Sequence, residues 1–122
     1  MLQLNLLLLW QVKNMSSITI QSMEQLDSWL HDQPLSLLFI STNGCSVCDS
    51  LYPQIEYILK NYPMISFGYT KVDDLPSIAG RFLVFSAPVI ILFVDGKEYF
   101  REARIVHLNQ FNEKLKRVTD SM

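Results

Sequence analysis

The sequence predicts an α/β domain in which a central mixed β-sheet carries helices on both of its faces. Two runs, residues 35–42 and 89–94, are almost continuously apolar, which is typical of strands covered on both sides. Other segments repeat apolar residues every three or four positions, as helices with one buried face do. The chain has 122 residues, of which 49% are hydrophobic, which is enough for one compact core. We see no repeat or linker that indicates a second domain.

The first predicted elements are a short strand and a capped helix. Residues 17–20, with the sequence SITI, favour a strand. Ser22 and Gln25 have the spacing of a capping box, so a helix is expected to begin at this point and to end before Pro34. Its apolar positions are Met23, Leu26, Trp29 and Leu30. The apolar strand at residues 35–42 follows directly.

The second predicted helix begins at the only two cysteines of the chain, Cys45 and Cys48, and stops before Pro63. Pro53 lies inside it, where a proline costs roughly 3 kcal/mol, and we predict a kink there. The alternative is that the helix begins after Pro53. The apolar face of this helix consists of Cys48, Leu51, Tyr52, Ile55, Leu59 and Tyr62.

The next segments predict a strand and a short helix. Residues 65–73 alternate apolar residues with small or polar ones, as a strand beside the first apolar strand would. Residues 74–84 favour a short helix that tolerates Pro76 in its first turn.

The last segments predict a hairpin and a helix. Asp95 and Gly96 form a turn signal that pairs residues 89–94 with residues 97–104. The apolar positions of the final helix are Leu108, Phe111, Leu115 and Val118. Because crossovers between parallel strands are almost always right-handed, this order of elements places helices on both faces of the sheet. The cysteines then follow the carboxyl end of a central strand, where α/β sheets generally place their chemistry.

Composition narrows the function classes. Charged residues make up 18% of the chain and the formal net charge is −2, so no large basic surface is expected and nucleic acid is excluded as a partner. Two cysteines close together do not staple distant loops, as disulfides in small secreted domains do. We therefore expect a reducing compartment and a cytoplasmic location.

The N-terminal residues 1–16 contain an apolar run, Leu6 to Trp10, that resembles part of a signal peptide. No basic residue precedes the run and no small-x-small site follows it, and it is shorter than the roughly 17 to 25 residues that span a bilayer. We expect neither secretion nor a membrane span. Met15 can itself be a translation start, so we divide the chain into an extension, residues 1–16, and a domain, residues 17–122.

The cysteine pair has the spacing of a redox centre. A thiol is a nucleophile only as thiolate, and the first turn of a helix stabilises that anion with free N–H groups and the positive end of its dipole. Cys45 is therefore the expected nucleophile. Cys48, one turn later, is the expected resolving thiol, which attacks a mixed disulfide formed at Cys45. A staple is a poor explanation, since closing so short a loop stabilises by only about 2 kcal/mol.

A zinc site is the main chemical competitor for the pair. Structural zinc usually takes four ligands, and the chain offers only His31 and His107 besides the cysteines, in no H-x-x-x-H pattern. We therefore expect no metal and no cofactor.

The chain resembles the thioredoxin family in several motifs. An apolar strand leads into Cys45-Ser46-Val47-Cys48, Pro53 follows the second cysteine, and Pro88 precedes the strand at residues 89–94. The sequence FVDGKEYFR is also similar to the Gly-turned closing hairpin of the family. The resemblance covers residues 18–118.

The resemblance implies a thioredoxin-like fold and a thiol-disulfide oxidoreductase acting on protein thiols and disulfides. It also implies a cis peptide bond between Ala87 and Pro88, with Gly44, Ala87 and Pro88 contacting the substrate. A monomer and an electron donor of the thioredoxin-reductase type are further expectations.

Four departures from the family pattern modify these expectations. Gly44 stands where thioredoxins usually have tryptophan, and Ser46-Val47 stands where Gly-Pro is common, so the docking surface is altered. Phe39 replaces the buried acid of the central strand, and Asp49 replaces a basic residue, so proton handling must differ. The alternative function is a noncatalytic thioredoxin-like module that presents the Pro88 groove to a partner protein.

Overall fold

Five strands form one mixed sheet in the order β1-β3-β2-β4-β5. The computed structural model describes residues 17–122, so the predicted extension, residues 1–16, lies outside the described residues. The strands are β1 (Ile18–Thr19), β2 (Leu35–Ser41), β3 (Ser66–Lys71), β4 (Val89–Val94) and β5 (Lys97–Ala103). The helices are α1 (Met23–Asp32), α2 (Ser46–Leu59), α3 (Ser77–Phe82) and α4 (Leu108–Asp120). The predicted α/β class and order of elements are confirmed.

The central strand β2 pairs parallel with β3 and antiparallel with β4. Every residue of β2 is buried, which explains the continuous apolar run in the sequence. Leu35, Leu37 and Phe39 point to one face of the sheet, where α2 and α4 pack. Leu38 and Ile40 point to the other face, under α1 and α3. Burying a side chain of this size stabilises the fold by roughly 1.5–3 kcal/mol.

Strand β3 is covered more completely than its alternating sequence suggests. Gly68 lies directly under Trp29, and a Cβ atom at Gly68 would be only 2.7 Å from Cη2 of the indole. The indole Nε1–H of Trp29 donates a hydrogen bond to Ser66 Oγ at 2.8 Å, which fixes the ring on the strand. The Thr70 hydroxyl is also buried and donates to the carbonyl of Ile20 at 3.0 Å. Glycine is strongly favoured at position 68 because the indole occupies the space above it.

The predicted cap of α1 is present in a modified form. Ser22 Oγ accepts a hydrogen bond from the N–H of Gln25 at 3.0 Å, as a capping serine does. The side chain of Gln25 returns to the N–H of Gln21, at 2.7 Å, one residue earlier than in a regular capping box. The helix therefore begins where the sequence predicted.

Helix α2 runs through Pro53 without ending, so the alternative that the helix begins after Pro53 is wrong. Tyr62 lies beyond the end of α2 but is buried, and its hydroxyl donates to Asn112 Oδ1 at 2.7 Å. The hairpin turn has positive φ angles at Asp95 (52°) and Gly96 (79°), the backbone that a two-residue hairpin loop favours.

Candidate active site

The segment between β2 and α2 places the two cysteines just beyond the carboxyl end of the central strand. Gly44 has a φ of +70°, a left-handed conformation that side chains rarely adopt, and no atom lies within 4 Å of an added Cβ. Backbone geometry rather than crowding therefore favours glycine at this position. Cys45 follows as the N-cap of α2, with its backbone still extended.

Asp73, after the end of β3, holds this segment in place. Its Oδ1 accepts hydrogen bonds from the Asn43 N–H and the Thr42 hydroxyl, both at 2.8 Å. The backbone donor of Asn43, followed by the hydroxyl of Thr42, lowers the pKa of the Asp73 carboxyl. The charged form of Asp73 is thus the one that anchors the segment.

The predicted nucleophile and resolving thiol are brought together. Cys45 and Cys48 form a disulfide, with Cα atoms 5.2 Å apart. Cys45 Sγ also accepts a hydrogen bond from the N–H of Cys48 at 3.1 Å, as expected of a sulfur at a helix N-terminus. Cys45 is partly exposed, whereas Cys48 is only 1% exposed. A large molecule can therefore reach Cys45 but not Cys48.

The loop before β4 packs on the same core cluster as the cysteines. The Ala87-Pro88 peptide bond is cis, which confirms that expectation. Ala87 packs on the edge of the same core cluster as Cys45. Arg104, after β5, donates its N–H to the Pro88 carbonyl at 2.9 Å and its Nε–H to Ser86 Oγ at 3.1 Å. The loop is thus tied to the end of the hairpin.

Three exposed apolar side chains lie on the segments that follow Cys45, precede Pro88 and follow β5, and we call Val47, Phe85 and Ile105 the apolar rim. Val47 is 54% exposed, Ile105 is 73% exposed, and Phe85, in the loop before Pro88, is 91% exposed. Val47 and Ile105 line a groove of about 470 Å³ between α2 and the segment after β5. The surface formed by the first turns of α2 and the segment after β5 is therefore suited to apolar contacts.

A cluster of aromatic rings lies beneath the cysteines, on the sheet side of α2. Phe39 contacts the ring of Tyr52 edge to face at 5.5 Å and stacks on Tyr69 at 6.0 Å. Tyr52 also stacks on Phe67 at 5.4 Å. The Tyr52 hydroxyl is hydrogen-bonded to the Ser17 hydroxyl. Burial raises the pKa of Tyr52, so this phenol stays protonated at neutral pH.

The two histidines that were possible zinc ligands in the sequence lie at helix ends. His31 is in the last turn of α1, and His107 is the N-cap of α4. Within residues 17–122, no group of three or more His, Cys, Asp and Glu side chains is arranged to hold a metal ion. None of the helices in that range is long and apolar enough to cross a membrane.

Several contacts at the site were not predicted from the sequence. Asp73 anchors a segment 30 residues away in the chain, and Arg104 contacts a loop 18 residues away. The spacing of α2 predicts a buried Tyr52 ring but not the contact of its hydroxyl with Ser17. The one available signal was the spacing of Asp49 and Tyr52, which places both on one side of the helix that begins at Cys45.

Comparison with known proteins gives consistent results. No protein-family model matches the sequence. The chain is 41% identical over 99 residues to the thioredoxin-like protein YdfQ of Bacillus subtilis, covering 81% of this chain and 88% of that protein. It is 29% identical over 85 residues to thioredoxin-1 of Saccharomyces cerevisiae, covering 70% and 80%. The crystal structure of thioredoxin from Trypanosoma brucei brucei matches with a TM-score of 0.76 over 88% of this chain and 94% of that one. Since sequence identity to that structure is 19%, this last match supports the fold alone.

Proposed function

Because this chain belongs to the thioredoxin family and is a thiol-disulfide oxidoreductase, we propose that it reduces or exchanges disulfides of protein substrates, with Cys45 as nucleophile and Cys48 as resolving thiol. The observation that carries this assignment is the unequal exposure of the two sulfurs. Cys45 is the partly exposed N-cap of α2, and Cys48 is buried one turn later. Attack on a protein therefore begins at Cys45.

The reaction proceeds in two exchange steps. In the reduced protein, the Cys45 thiolate attacks one sulfur of the substrate disulfide, forming a Cys45–substrate disulfide and releasing the first substrate thiolate. The Cys48 thiolate then attacks Cys45 Sγ, which forms the Cys45–Cys48 disulfide and releases the second substrate thiolate. Two electrons pass from the cysteine pair to the substrate. The N–H of Cys48, which contacts Cys45 Sγ at 3.1 Å, stabilises the attacking anion.

We assign substrate contact to Gly44, Ala87 and Pro88, the last through its backbone because its side chain is buried. Ala87 is partly exposed and packs on the same core cluster as Cys45, so its backbone can pair with an extended substrate segment, as an added strand does. The absence of a side chain at Gly44 leaves room for the substrate on the other side of Cys45. The apolar rim then favours substrates with apolar residues next to the cysteine.

We also propose an electron donor, an oligomeric state and a cellular location for the reaction. A donor of the thioredoxin-reductase type would return the disulfide to the dithiol, and the chain would act as a monomer in the cytoplasm. These statements rest on the family resemblance and on a cysteine pair placed for exchange rather than for stapling.

Trapping of the mixed disulfide tests the roles of the cysteines. We expect Cys48→Ser to accumulate mixed disulfides with an oxidised protein substrate through Cys45, because attack survives and resolution does not. Cys45→Ser should trap nothing, and mass spectrometry locates the adduct. Adducts on Cys48 would reverse the assignment.

Activity of the unmodified protein tests the function itself. The reduction potential of the pair and the rate of reduction of a generic protein disulfide should both be measurable. A protein that binds partners but reduces no disulfide would instead be the noncatalytic module.

A further inference from the structure

The buried position of Cys48 raises the question of how this thiol loses its proton. Resolution requires the Cys48 thiolate, and Cys48 is 1% exposed, in the core cluster that also contains Leu51 and Ile55. Burial among apolar groups disfavours the charged form of a thiol. Phe39, in the same cluster, offers no atom that can accept a proton. The group that accepts the proton of Cys48 must therefore lie on another side of this thiol.

A cavity beside Cys48 provides a route for the proton. It has a volume of about 360 Å³ and lies between α2 and the edge of the sheet formed by β1 and β3. Its described lining consists of Ser17, Thr19, Cys48, Asp49, Tyr52 and Tyr69. Since a water molecule takes about 30 Å³ of liquid volume, the cavity has room for several. The hydroxyl groups and the carboxylate supply the polar partners that such waters need.

Only one group in this described lining is suited to accept a proton at neutral pH. Ser17 and Thr19 carry hydroxyls, which are far weaker bases than a carboxylate. Burial raises the pKa of Tyr52, so its phenol keeps its proton at neutral pH, and Tyr69 also carries a hydroxyl and no carboxylate. Asp49 is exposed on the outer side of the cavity and supplies the carboxylate.

Two charged groups lie near the cavity but outside its described lining. Glu56, the next acid along this side of α2, acts on Tyr52 and contributes to the raised pKa of that phenol. Lys71 follows Tyr69 by two residues on β3, and its charge acts on Asp73. Neither residue lines the space that Cys48 shares with Asp49.

We propose that Asp49 accepts, through water in this cavity, the proton that Cys48 releases when it resolves the mixed disulfide. The inference rests on the proposed function, since it concerns its second step. The Cys48 thiol gives its proton to the Asp49 carboxylate, and the resulting thiolate attacks Cys45 Sγ. The Cys45–Cys48 bond forms while the bond from Cys45 to the substrate sulfur breaks. The substrate leaves as a thiolate, and the proton on Asp49 passes to it or to solvent.

A small aromatic disulfide separates the two steps. When the reduced, full-length protein reacts with dithiobis(nitrobenzoate), attack by Cys45 releases one coloured thiolate, and resolution by Cys48 releases a second. Stopped-flow absorbance gives the rate of each phase between pH 5 and pH 9. Asp49 lies on the surface, so Asp49→Asn should fold normally.

We expect Asp49→Asn to slow the second phase by about tenfold or more at neutral pH, within the range of general-base effects. In the unsubstituted protein the rate of the second phase should change little with pH around neutrality, because the Asp49 carboxylate takes up the proton. In Asp49→Asn the rate should rise with pH in this range and level off once Cys48 is ionised, because only thiolate formed without help from Asp49 then attacks. Asp49→Glu should restore the shallow profile, and Glu56→Gln, the matched control, should leave both phases unchanged.

Three results would overturn the inference, and they are distinguishable. A second-phase pH profile in Asp49→Asn equal to that of the unsubstituted protein would remove Asp49 from proton transfer. A change confined to the first phase would show that the charge of Asp49 acts on Cys45 instead. Absence of either phase in the unsubstituted protein would contradict the proposed function, and with it this step.

Discussion

The two faces of the sheet have similar apolar cores but differ in their surroundings at the site. The face under α2 and α4 buries Cys48 and opens at its edge into a cavity lined by hydroxyl groups and Asp49. The face under α1 and α3 buries mainly aliphatic side chains around Trp29. On that second face the polar atoms of Trp29 and Thr70 are hydrogen-bonded within the protein.

This difference shows how the domain separates reactivity from rigidity. A thiol that must ionise needs a polar route to solvent, so the α2 face accepts imperfect packing near Cys48. The α1 face has no such requirement, and the contact of Trp29 with Gly68 helps to stabilise the strands that position the site. Substitutions on the α1 face should therefore change the free energy of unfolding, and substitutions near the cysteines should change the rate of exchange.

The largest effect is expected for Cys45→Ser, which should reduce disulfide reductase activity to background because no nucleophile remains. The free energy of unfolding of the reduced protein should change by less than about 0.5 kcal/mol, since the side chain is partly exposed and similar in size. Reductase assays and denaturant unfolding under reducing conditions measure the two quantities. Residual activity above background would show that Cys48 can start the reaction.

The next effect concerns the opposite face. Gly68→Ala should lower the free energy of unfolding by about 1–3 kcal/mol, because the added methyl group would overlap the indole of Trp29. The rate of disulfide reduction per folded molecule should stay the same. Gly80→Ala is the matched control: no atom lies within 4 Å of its added methyl group, and alanine favours the helix by roughly 0.5–1 kcal/mol. Equal effects of the two substitutions would show that Trp29 does not constrain position 68.

A smaller effect is expected on the apolar rim. Phe85→Ser should raise the KM for a protein disulfide by roughly 2- to 10-fold, with kcat nearly unchanged, because an exposed aromatic contact contributes about 0.5–1.5 kcal/mol. Stability should not change, since Phe85 is 91% exposed. Tyr57→Ser, which removes an exposed aromatic residue of α2, should leave KM unchanged. A fall in kcat with constant KM would place Phe85 in the chemical step and not in docking.

The smallest effect should come from Asp73, whose hydrogen bonds are exposed to solvent. Since the pKa of Asp73 is lowered in the folded protein, its contribution to stability is present above the pKa of the unfolded state and is lost as the pH falls through the folded value. Asp73→Asn should therefore lower Tm slightly at pH 7 and much less at pH 2. Thermal unfolding at both pH values measures this difference. A decrease that is larger at pH 2 would contradict the assigned anchor.

Much of the fold could be predicted because its signals are local. The continuous apolar runs of β2 and β4, the helix spacing of α2 and the Asp95-Gly96 turn each lie within a few neighbouring residues. The cysteine pair is visible for the same reason. Pro88 was placed at the site by resemblance to a family, since nothing in the adjacent sequence connects it to Cys45.

The contacts that the sequence did not predict join segments that meet only in the folded chain. Asp73 meets Asn43 only because β2 and β3 are adjacent and parallel, so that their carboxyl ends lie side by side. The cavity beside Cys48 similarly joins residues of β1, β3 and α2, and no periodicity within one segment indicates it. In the sequence, Gly68 is one of the small residues that alternate in a strand, and its dependence on Trp29 appears only after α1 is packed on the sheet.

The contact between Trp29 and Gly68 also has an evolutionary consequence. The indole and the bare backbone share one volume, so a larger residue at position 68 requires a smaller ring at position 29. Among descendants of a common ancestor, the two positions should therefore change together, although 39 positions separate them in the chain. A lineage that replaced the glycine first would pass through a destabilised intermediate, whereas one that first shortened the tryptophan would leave a cavity. Either route lowers stability, so selection should act against a change at only one of the two positions.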